Sequence, residues 1–173
     1  MGWSNVTMNF LLHKGYRPGC IGRIAALHAH FYHRHAGFGV RFEAKVAHEL
    51  AEFCERYDDH RDGLWLALMD DVIDGSIAID ASHAGQDGAH LRWFITADHV
   101  RGTGIGSALL AAAMGFCRSQ HYERVYLWTF DRLPAARHLY EKFGFKLVHE
   151  QEGNQWGSKV NEQRFEWRSV AGD

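Results

Sequence analysis

The stretch Arg101-Gly102-Thr103-Gly104-Ile105-Gly106-Ser107 determines how this chain is organised around a ligand. An apolar run at residues 91–95 precedes it, and a helical pattern at residues 107–117 follows it. Glycines let the backbone approach a ligand closely, and the N–H groups and dipole at a helix start favour negative charge. The order of strand, glycine-rich turn and helix therefore predicts a cradle for a phosphate group.

Other interpretations of this stretch differ in what they require. A P-loop needs Lys followed by Ser or Thr after its last glycine, whereas Ser107-Ala108 follow here, so we reject it. A Rossmann fingerprint begins acceptably at Gly102 and Gly104, and Glu123 lies about 20 residues further on. That unit normally opens its domain, whereas several predicted strands and helices precede this one, so we disfavour it. A glycine-rich turn without a ligand also stays open.

The composition is that of an ordinary globular protein. The 173 residues are 46% apolar and 23% charged, with a formal net charge of −2, which favours one domain over residues 1–173. This charge does not favour a nucleic-acid or membrane surface, so we expect neither partner. No apolar run reaches the roughly 18 residues of a membrane-spanning helix, and residues 1–10 lack a signal-peptide pattern. The isolated Cys20, Cys54 and Cys117 indicate reduced thiols, and we expect a cytoplasmic protein.

Hydrophobic periodicity predicts a mixed α/β domain in the order β-α-α-β-β-β-α-β-α-β-β. We expect helices near residues 21–37, 46–57, 105–117 and 133–143. We expect strands near residues 8–13, 64–69, 72–80, 90–96, 124–130, 145–150 and 163–167. Asp70-Asp71 would join two of these strands in a hairpin, and Gly144 would end the last helix.

The glycine stretch resembles the acetyl-CoA motif of the GNAT N-acetyltransferase superfamily. The similarity lies in Arg101-x-x-Gly104-x-Gly106 after a strand, with Leu109 and Leu110 on the following helix. The resemblance covers residues 15–168. It implies the GNAT fold, a central and mostly antiparallel sheet with splayed strands, flanked by helices.

A second motif strengthens the resemblance. The run Ala136-x-x-Leu139-Tyr140-x-x-x-Gly144-Phe145 is similar to the hallmark found later in GNAT domains, with one strand and one helix between the two motifs. Within it we expect Ala136 and Arg137 to contact the cofactor. Residues 91–94 and 125–129 are also similar to acetyltransferase domains that are fused to MarR-type regulators.

The chain departs from the family pattern at two positions. Asp98 stands where the family often has proline, three residues before the arginine, and Leu133 stands where it often has an asparagine that touches the cofactor. Neither change removes the cradle. Leu133 puts one cofactor contact in doubt.

The resemblance implies how acetyl-CoA would be held. Backbone N–H groups of residues 101–107 would bind its pyrophosphate. The family's strands splay beside the glycine loop, so an N–H in the gap would polarise the thioester carbonyl. The pantetheine arm would pair like an added strand with Phe94, Ile95 and Thr96.

Tyr140 is the expected general acid, because a phenol with a pKa near 10 is protonated at neutral pH and can donate to a departing thiolate. Packing of the helix against the sheet is the alternative role. Many family members carry a glutamate on the strand before the glycine loop, where this chain has His90 and Arg92. We expect His90 to accept the amine proton, directly or through water, although a surface position is the alternative. Glu43 and Glu150 are further candidate bases, and water alone stays open.

In this fold the first two helices roof the acceptor pocket, and we expect Arg92, Phe31 and Trp128 to line it. Tyr32, Trp93 and Trp156 are further candidates for this lining. A plain core role is the alternative for the aromatic residues. Arg92 would share its strand face with His90 and Phe94, and if that face looks into the pocket it predicts an acceptor bearing a carboxylate.

Four histidines on the first predicted helix do not indicate a metal site. At about 100° per residue, His28 and His35 fall on the apolar face, whereas His30 and His33 fall on the opposite face. Four ligands cannot converge from one intact helix, so we expect no metal. We expect His28 or His35 to border the acceptor pocket.

The sequence therefore predicts an N-acetyltransferase that moves acetyl from acetyl-CoA to a primary amine by direct attack in a ternary complex. The acceptor would be a small-molecule or peptide amine, and pairing into a homodimer stays open. The alternative function is a catalytically idle acyl-CoA-binding module with a sensory or regulatory role. Thiol release across a panel of amines distinguishes the two.

Overall fold

The structure is a computed structural model that describes residues 9–170. Within that range the helices and strands follow the predicted order, with one additional 3₁₀ turn at Asp98–Val100. Met8, which we expected to belong to the first strand, lies outside the described residues. The elements are β1 Leu11–Lys14, α1 Cys20–Ala36, α2 Val40–Glu55, β2 Gly63–Met69, β3 Val72–Asp80, β4 Ala89–Thr96, α3 Ile105–Ser119, β5 Arg124–Phe130, α4 Pro134–Lys142, β6 Lys146–Gly153 and β7 Val160–Arg168.

The described strands form one seven-stranded sheet in the order β1-β2-β3-β4-β5-β7-β6. Every neighbouring pair is antiparallel except β4 and β5, which are parallel. Their pairing covers Ala89 with Val125 and His90 with Tyr126, and beyond that point the two strands separate. This mixed sheet flanked by helices confirms the expected fold class and the expected splay.

Helix α2 begins at Val40 rather than at residue 46, because Gly39 ends the preceding turn in an extended conformation and Phe42 already packs into the core. Charged residues flank Phe42, so the hydrophobic periodicity of the sequence did not predict this first turn. At the other end of the chain, β6 continues to Gly153 although its residues are largely polar and exposed. Because β6 is an edge strand, polar side chains on both its faces meet water.

Each face of the sheet carries its own hydrophobic core. Helix α3 packs against β2, β3 and β4, and its own residues Leu109 and Leu110 are fully buried in this contact. Helices α1 and α2 cover the opposite face, where Ile24 and Leu50 are fully buried. The gap between the separated ends of β4 and β5 therefore lies between the layer of α3 and the layer of α1 and α2. Within residues 9–170, no helix is long and apolar enough to cross a membrane.

Candidate functional site

Strand β4 carries a bulge at Trp93. Its φ of 47° is a left-handed conformation that bulky residues rarely adopt, and the register against β3 shifts between Ser76 and Ala78. The Ser76 hydroxyl donates a hydrogen bond of 2.7 Å to the Trp93 carbonyl and fixes the bulge. Trp93 joins the core under α1 and α2, whereas Phe94 packs with the opposite core, its ring centroid 6.0 Å from that of Tyr140. The expectation that Phe94 shares a face with Arg92 was wrong, because the bulge adds a residue between them.

The glycine stretch forms the turn from β4 into α3. Gly102 and Gly104 have φ values of 77° and 89°, in the region that favours glycine. Gly104 precedes α3 and no side chain caps this helix, so its first N–H groups are available to a ligand at the positive end of the helix dipole. The geometry is that of an anion cradle.

These elements line a pocket of about 550 Å³, named here the glycine-loop pocket. Most of the expected cofactor contacts line it: Phe94, Ile95, Thr96, Arg101, Gly102, Gly104, Gly106, Ser107 and Ala136. Thr103 and Ile105 do not. The Thr103 hydroxyl donates to the Val100 carbonyl within the turn, and the Ile105 side chain is fully buried under α3.

Two expected residues are placed differently. Arg137 is not part of the pocket lining, because it follows Ala136 by about 100° around α4. Its guanidinium instead donates to Glu141 over 2.8 Å. Phe31, which we expected beside the acceptor, lies in the glycine-loop pocket, where the Arg101 guanidinium is 4.3 Å from its ring centroid.

A second pocket of about 530 Å³, named here the charged pocket, lies between the sheet and helices α1 and α2. The expected residues His28, His90, Arg92 and Trp128 line it. The loop between β6 and β7 contributes Gln155 and Trp156, and the Trp156 ring centroid is 5.7 Å from that of Phe130. Trp156 was one of the further candidates for this lining, as were Tyr32 and Trp93, and all three line the pocket.

The acidic residues of the charged pocket are not the expected ones. Glu43 is exposed at the start of α2, and Glu150 accepts a hydrogen bond from Gln163 on the edge strands, so neither lines the pocket. Helix α2 and its C-cap residue instead present a stripe of charged side chains at i, i+4, i+7 and i+11, with two acidic residues between two basic ones. The stripe consists of Lys45, Glu49, Glu52 and Arg56. Its spacing follows the buried stripe of the same helix, which is the signal that could have identified it.

Arg92 lies at the centre of the ion pairs in this pocket. Its guanidinium is 4.2 Å from the Trp93 ring centroid, donates to Glu49, and lies 3.6 Å from an Asp80 oxygen. Burial raises the pKa of Asp80, but hydrogen bonds from Arg56 and Ser82 outweigh it and lower this pKa to about 2. The pocket therefore holds cations and anions side by side.

Two histidines of the charged pocket are held neutral. His28 is 5% exposed, and burial lowers its pKa to about 4. Its Nδ1–H donates to the Ile24 carbonyl over 2.8 Å, which leaves Nε2 as the acceptor. The His90 ring stacks on Tyr126 at 4.4 Å, and burial, followed by the charge of Arg92, lowers its pKa to about 3.

The two pockets meet. In the part of the chain that the structure describes, four residues line both of them: Tyr32, Phe94, Thr129 and Tyr140. Tyr140, the expected general acid, is 7% exposed, and burial raises its pKa well above the usual range of a phenol. It is therefore protonated at neutral pH, at the point where the contents of the two pockets would touch.

Residues 26–145 match the family model described as Acetyltransferase (GNAT) family, and the chain belongs to that family. Among solved structures, its fold is similar to Salmonella typhimurium yncA, determined with its cofactor acetyl-CoA, at a TM-score of 0.73 and 14% identity, covering 95% of this chain and 98% of that one. An acetyltransferase from Streptococcus agalactiae gives a TM-score of 0.72 at 19% identity, covering 92% and 98%.

Two curated relatives carry the name N-acetylaspartate synthetase. The protein from Danio rerio is 33% identical over 88 residues, which is 51% of this chain and 31% of the relative. The protein from Xenopus tropicalis is 25% identical over 145 residues, which is 83% of this chain and 53% of the relative. The chain thus spans about a third and about half of the lengths of these relatives.

Proposed function

We propose that this protein transfers an acetyl group from acetyl-CoA to the primary amine of a molecule that also carries a carboxylate. The observation that carries the proposal is the meeting of two unlike pockets at Tyr140. One pocket presents an anion cradle, and the other presents neighbouring cations and anions. Membership of the acetyltransferase family supports the reaction class.

The glycine-loop pocket fits acetyl-CoA. The uncapped start of α3 would bind the pyrophosphate, and the free edge of β4 beyond His90 would pair with the pantetheine arm. Arg101 would add a positive charge at the mouth of the cradle. When bound, acetyl-CoA supplies an acetyl group activated as a thioester.

Residues where the two pockets meet would donate and accept the protons that move during acetyl transfer. Tyr140 holds a proton on its phenol and can donate it to a leaving sulfur. His90 is a neutral but weak base, so we assign it as a hydrogen-bond acceptor for the incoming amine, with water as the final acceptor of the proton. Direct attack of the amine requires both substrates to be bound together, which two connected pockets allow.

The charged pocket supports a zwitterionic acceptor. Arg92 would donate to the carboxylate, and Glu49 and Glu52 would attract the ammonium group before it loses its proton. The names of the two curated relatives point to aspartate, an amino acid with two carboxylates, as one acceptor to test.

A panel of amines with acetyl-CoA tests the proposal through release of the CoA thiol. The panel contains aspartate and other amino acids, their amides and methyl esters, and amines without a carboxylate. We expect turnover that is highest for amines with a free carboxylate. Tight CoA binding without turnover for any amine would favour the acyl-CoA-binding module, and equal turnover for acids and amides would contradict the carboxylate.

A further inference from the structure

Tyr32 on α1 is a second phenol at the junction of the two pockets. Its ring is fixed by aromatic neighbours, with centroids 5.1 Å from Phe42 and 5.7 Å from Phe130. This packing fixes the ring of Tyr32 on α1, and Tyr32 lines both pockets, as does Tyr140 on α4. Two phenols, one on α1 and one on α4, thus lie where the two pockets meet.

Whether the two hydroxyls can donate to a ligand depends on whether they form hydrogen bonds within the protein. Among the described residues, Tyr57 and Asp131 carry the fully buried side-chain oxygens that have no hydrogen-bond partner. The hydroxyls of Tyr32 and Tyr140 are not among these buried oxygens, and no described residue bonds to them. Both hydroxyls are therefore open to the pockets and free to donate to a bound molecule.

Burial raises the pKa of both phenols, and a positive charge acts on Tyr32. Burial raises the pKa of Tyr32 to about 12, and the positive charge of Arg101 opposes this rise. For Tyr140, burial also raises the pKa, and the negative charge of an ionised Tyr32 raises it further. A phenol beside a cation gives up its proton more easily than one in apolar surroundings.

We propose that Tyr32 is a second catalytic proton donor, which acts beside Tyr140 on the sulfur of CoA. This inference rests on the proposed acetyl transfer. As the C–S bond breaks, its electron pair stays on sulfur, and one of the two phenols gives that sulfur its proton. The amine nitrogen that forms the new C–N bond loses its proton to water, and water restores the phenol.

The test is a cycle of Tyr32→Phe, Tyr140→Phe and the double variant, since phenylalanine keeps each ring and removes only the hydroxyl. We expect each single replacement to lower kcat about tenfold and the double one about a thousandfold, because general acid catalysis contributes about 10²–10⁴-fold and either phenol can serve. The affinity for CoA and the thermal unfolding temperature should stay close to those of the unmodified protein. Tyr122→Phe is the matched control, since it removes a hydroxyl that donates to Arg61 outside both pockets.

A second measurement needs no turnover. The pKa of the bound CoA thiol is followed by the ultraviolet absorbance of the thiolate, and Tyr32→Phe should raise it by about one unit, because a hydrogen bond to a charged group is lost. An unchanged thiol pKa, with kcat within about twofold in Tyr32→Phe and no added loss in the double variant, overturns the role of Tyr32. Absence of acetyl transfer by the unmodified protein would instead overturn the proposed function.

Discussion

The two pockets differ in which parts of the chain supply their lining residues. The glycine-loop pocket takes most of its lining from two continuous stretches, residues 94–107 and 129–140, and the first of them contains the glycine-rich turn. The charged pocket takes side chains from α1, α2, β4, β5 and the loop between β6 and β7. Backbone geometry depends on a few glycines, whereas charged side chains can change without changing the fold. We infer that the first pocket is common to the family and that the second sets the acceptor.

The largest expected effect comes from breaking the backbone of the glycine-loop pocket. Gly104→Val places a β-branched side chain at a φ of 89°, although nothing within 4 Å would clash with its Cβ. The loop must then move, and strain of about 1–3 kcal/mol at such positions predicts up to about a hundredfold weaker CoA binding by calorimetry. Gly115→Ala in α3 is the control, since its Cβ also meets nothing and its φ is not positive. Equal affinities for the two variants would contradict a backbone cradle.

The charged pocket should respond to one side chain and only for some substrates. Arg92→Ala removes the proposed partner of the acceptor carboxylate, and a charge-assisted hydrogen bond of about 2 kcal/mol predicts a rise in KM of about thirtyfold. Amines without a carboxylate, measured with the same variant, are the internal control and should keep their KM. Arg92→Lys should recover part of the loss, because the charge stays while the planar fork is lost. A uniform rise in KM for all amines would refute the carboxylate assignment.

Much of the first pocket could be predicted from the sequence, and much of the second could not. The glycine stretch, Ala136 and Tyr140 are positioned by local turn and helix geometry, so a short motif is sufficient. Arg92, Trp128 and Trp156 line the charged pocket as expected, but Glu49 and Glu52 enter it through packing of α2 over the sheet, which no local motif predicts. The bulge at Trp93 depends on pairing with β3, so no pattern within β4 predicts that Phe94 turns away.

A moderate effect concerns pH, because the charged pocket buries a neutral imidazole. The pKa of His28 is about 4 in the folded protein, against 6.5 for a histidine in the solvated, unfolded chain. Below pH 6.5 the unfolded state binds a proton that the folded state refuses, so stability is full above pH 6.5 and falls as the pH drops toward 4. Between about pH 7 and about pH 5.5 the loss from His28 is about 1 kcal/mol. Urea unfolding at both pH values should show this loss diminished in His28→Gln and retained in the exposed-site variant His60→Gln.

The smallest effect is expected where the chain departs from the family pattern inside the glycine-loop region. Asp98 pairs with Arg34 and Arg101, and its side chain is 52% exposed, so these pairs contribute at most about 1 kcal/mol. Ala97 has φ −62° and ψ 148°, the conformation that proline requires of the residue before it. Asp98→Pro therefore loses the ion pairs but gains about 0.4–1 kcal/mol from a stiffer unfolded chain. We expect an unfolding free energy within about 1 kcal/mol of the unmodified protein and unchanged CoA binding, with Asp98→Ala measuring the ion pairs alone. A loss above about 2 kcal/mol would show that side chains, as well as backbone, hold this loop in place.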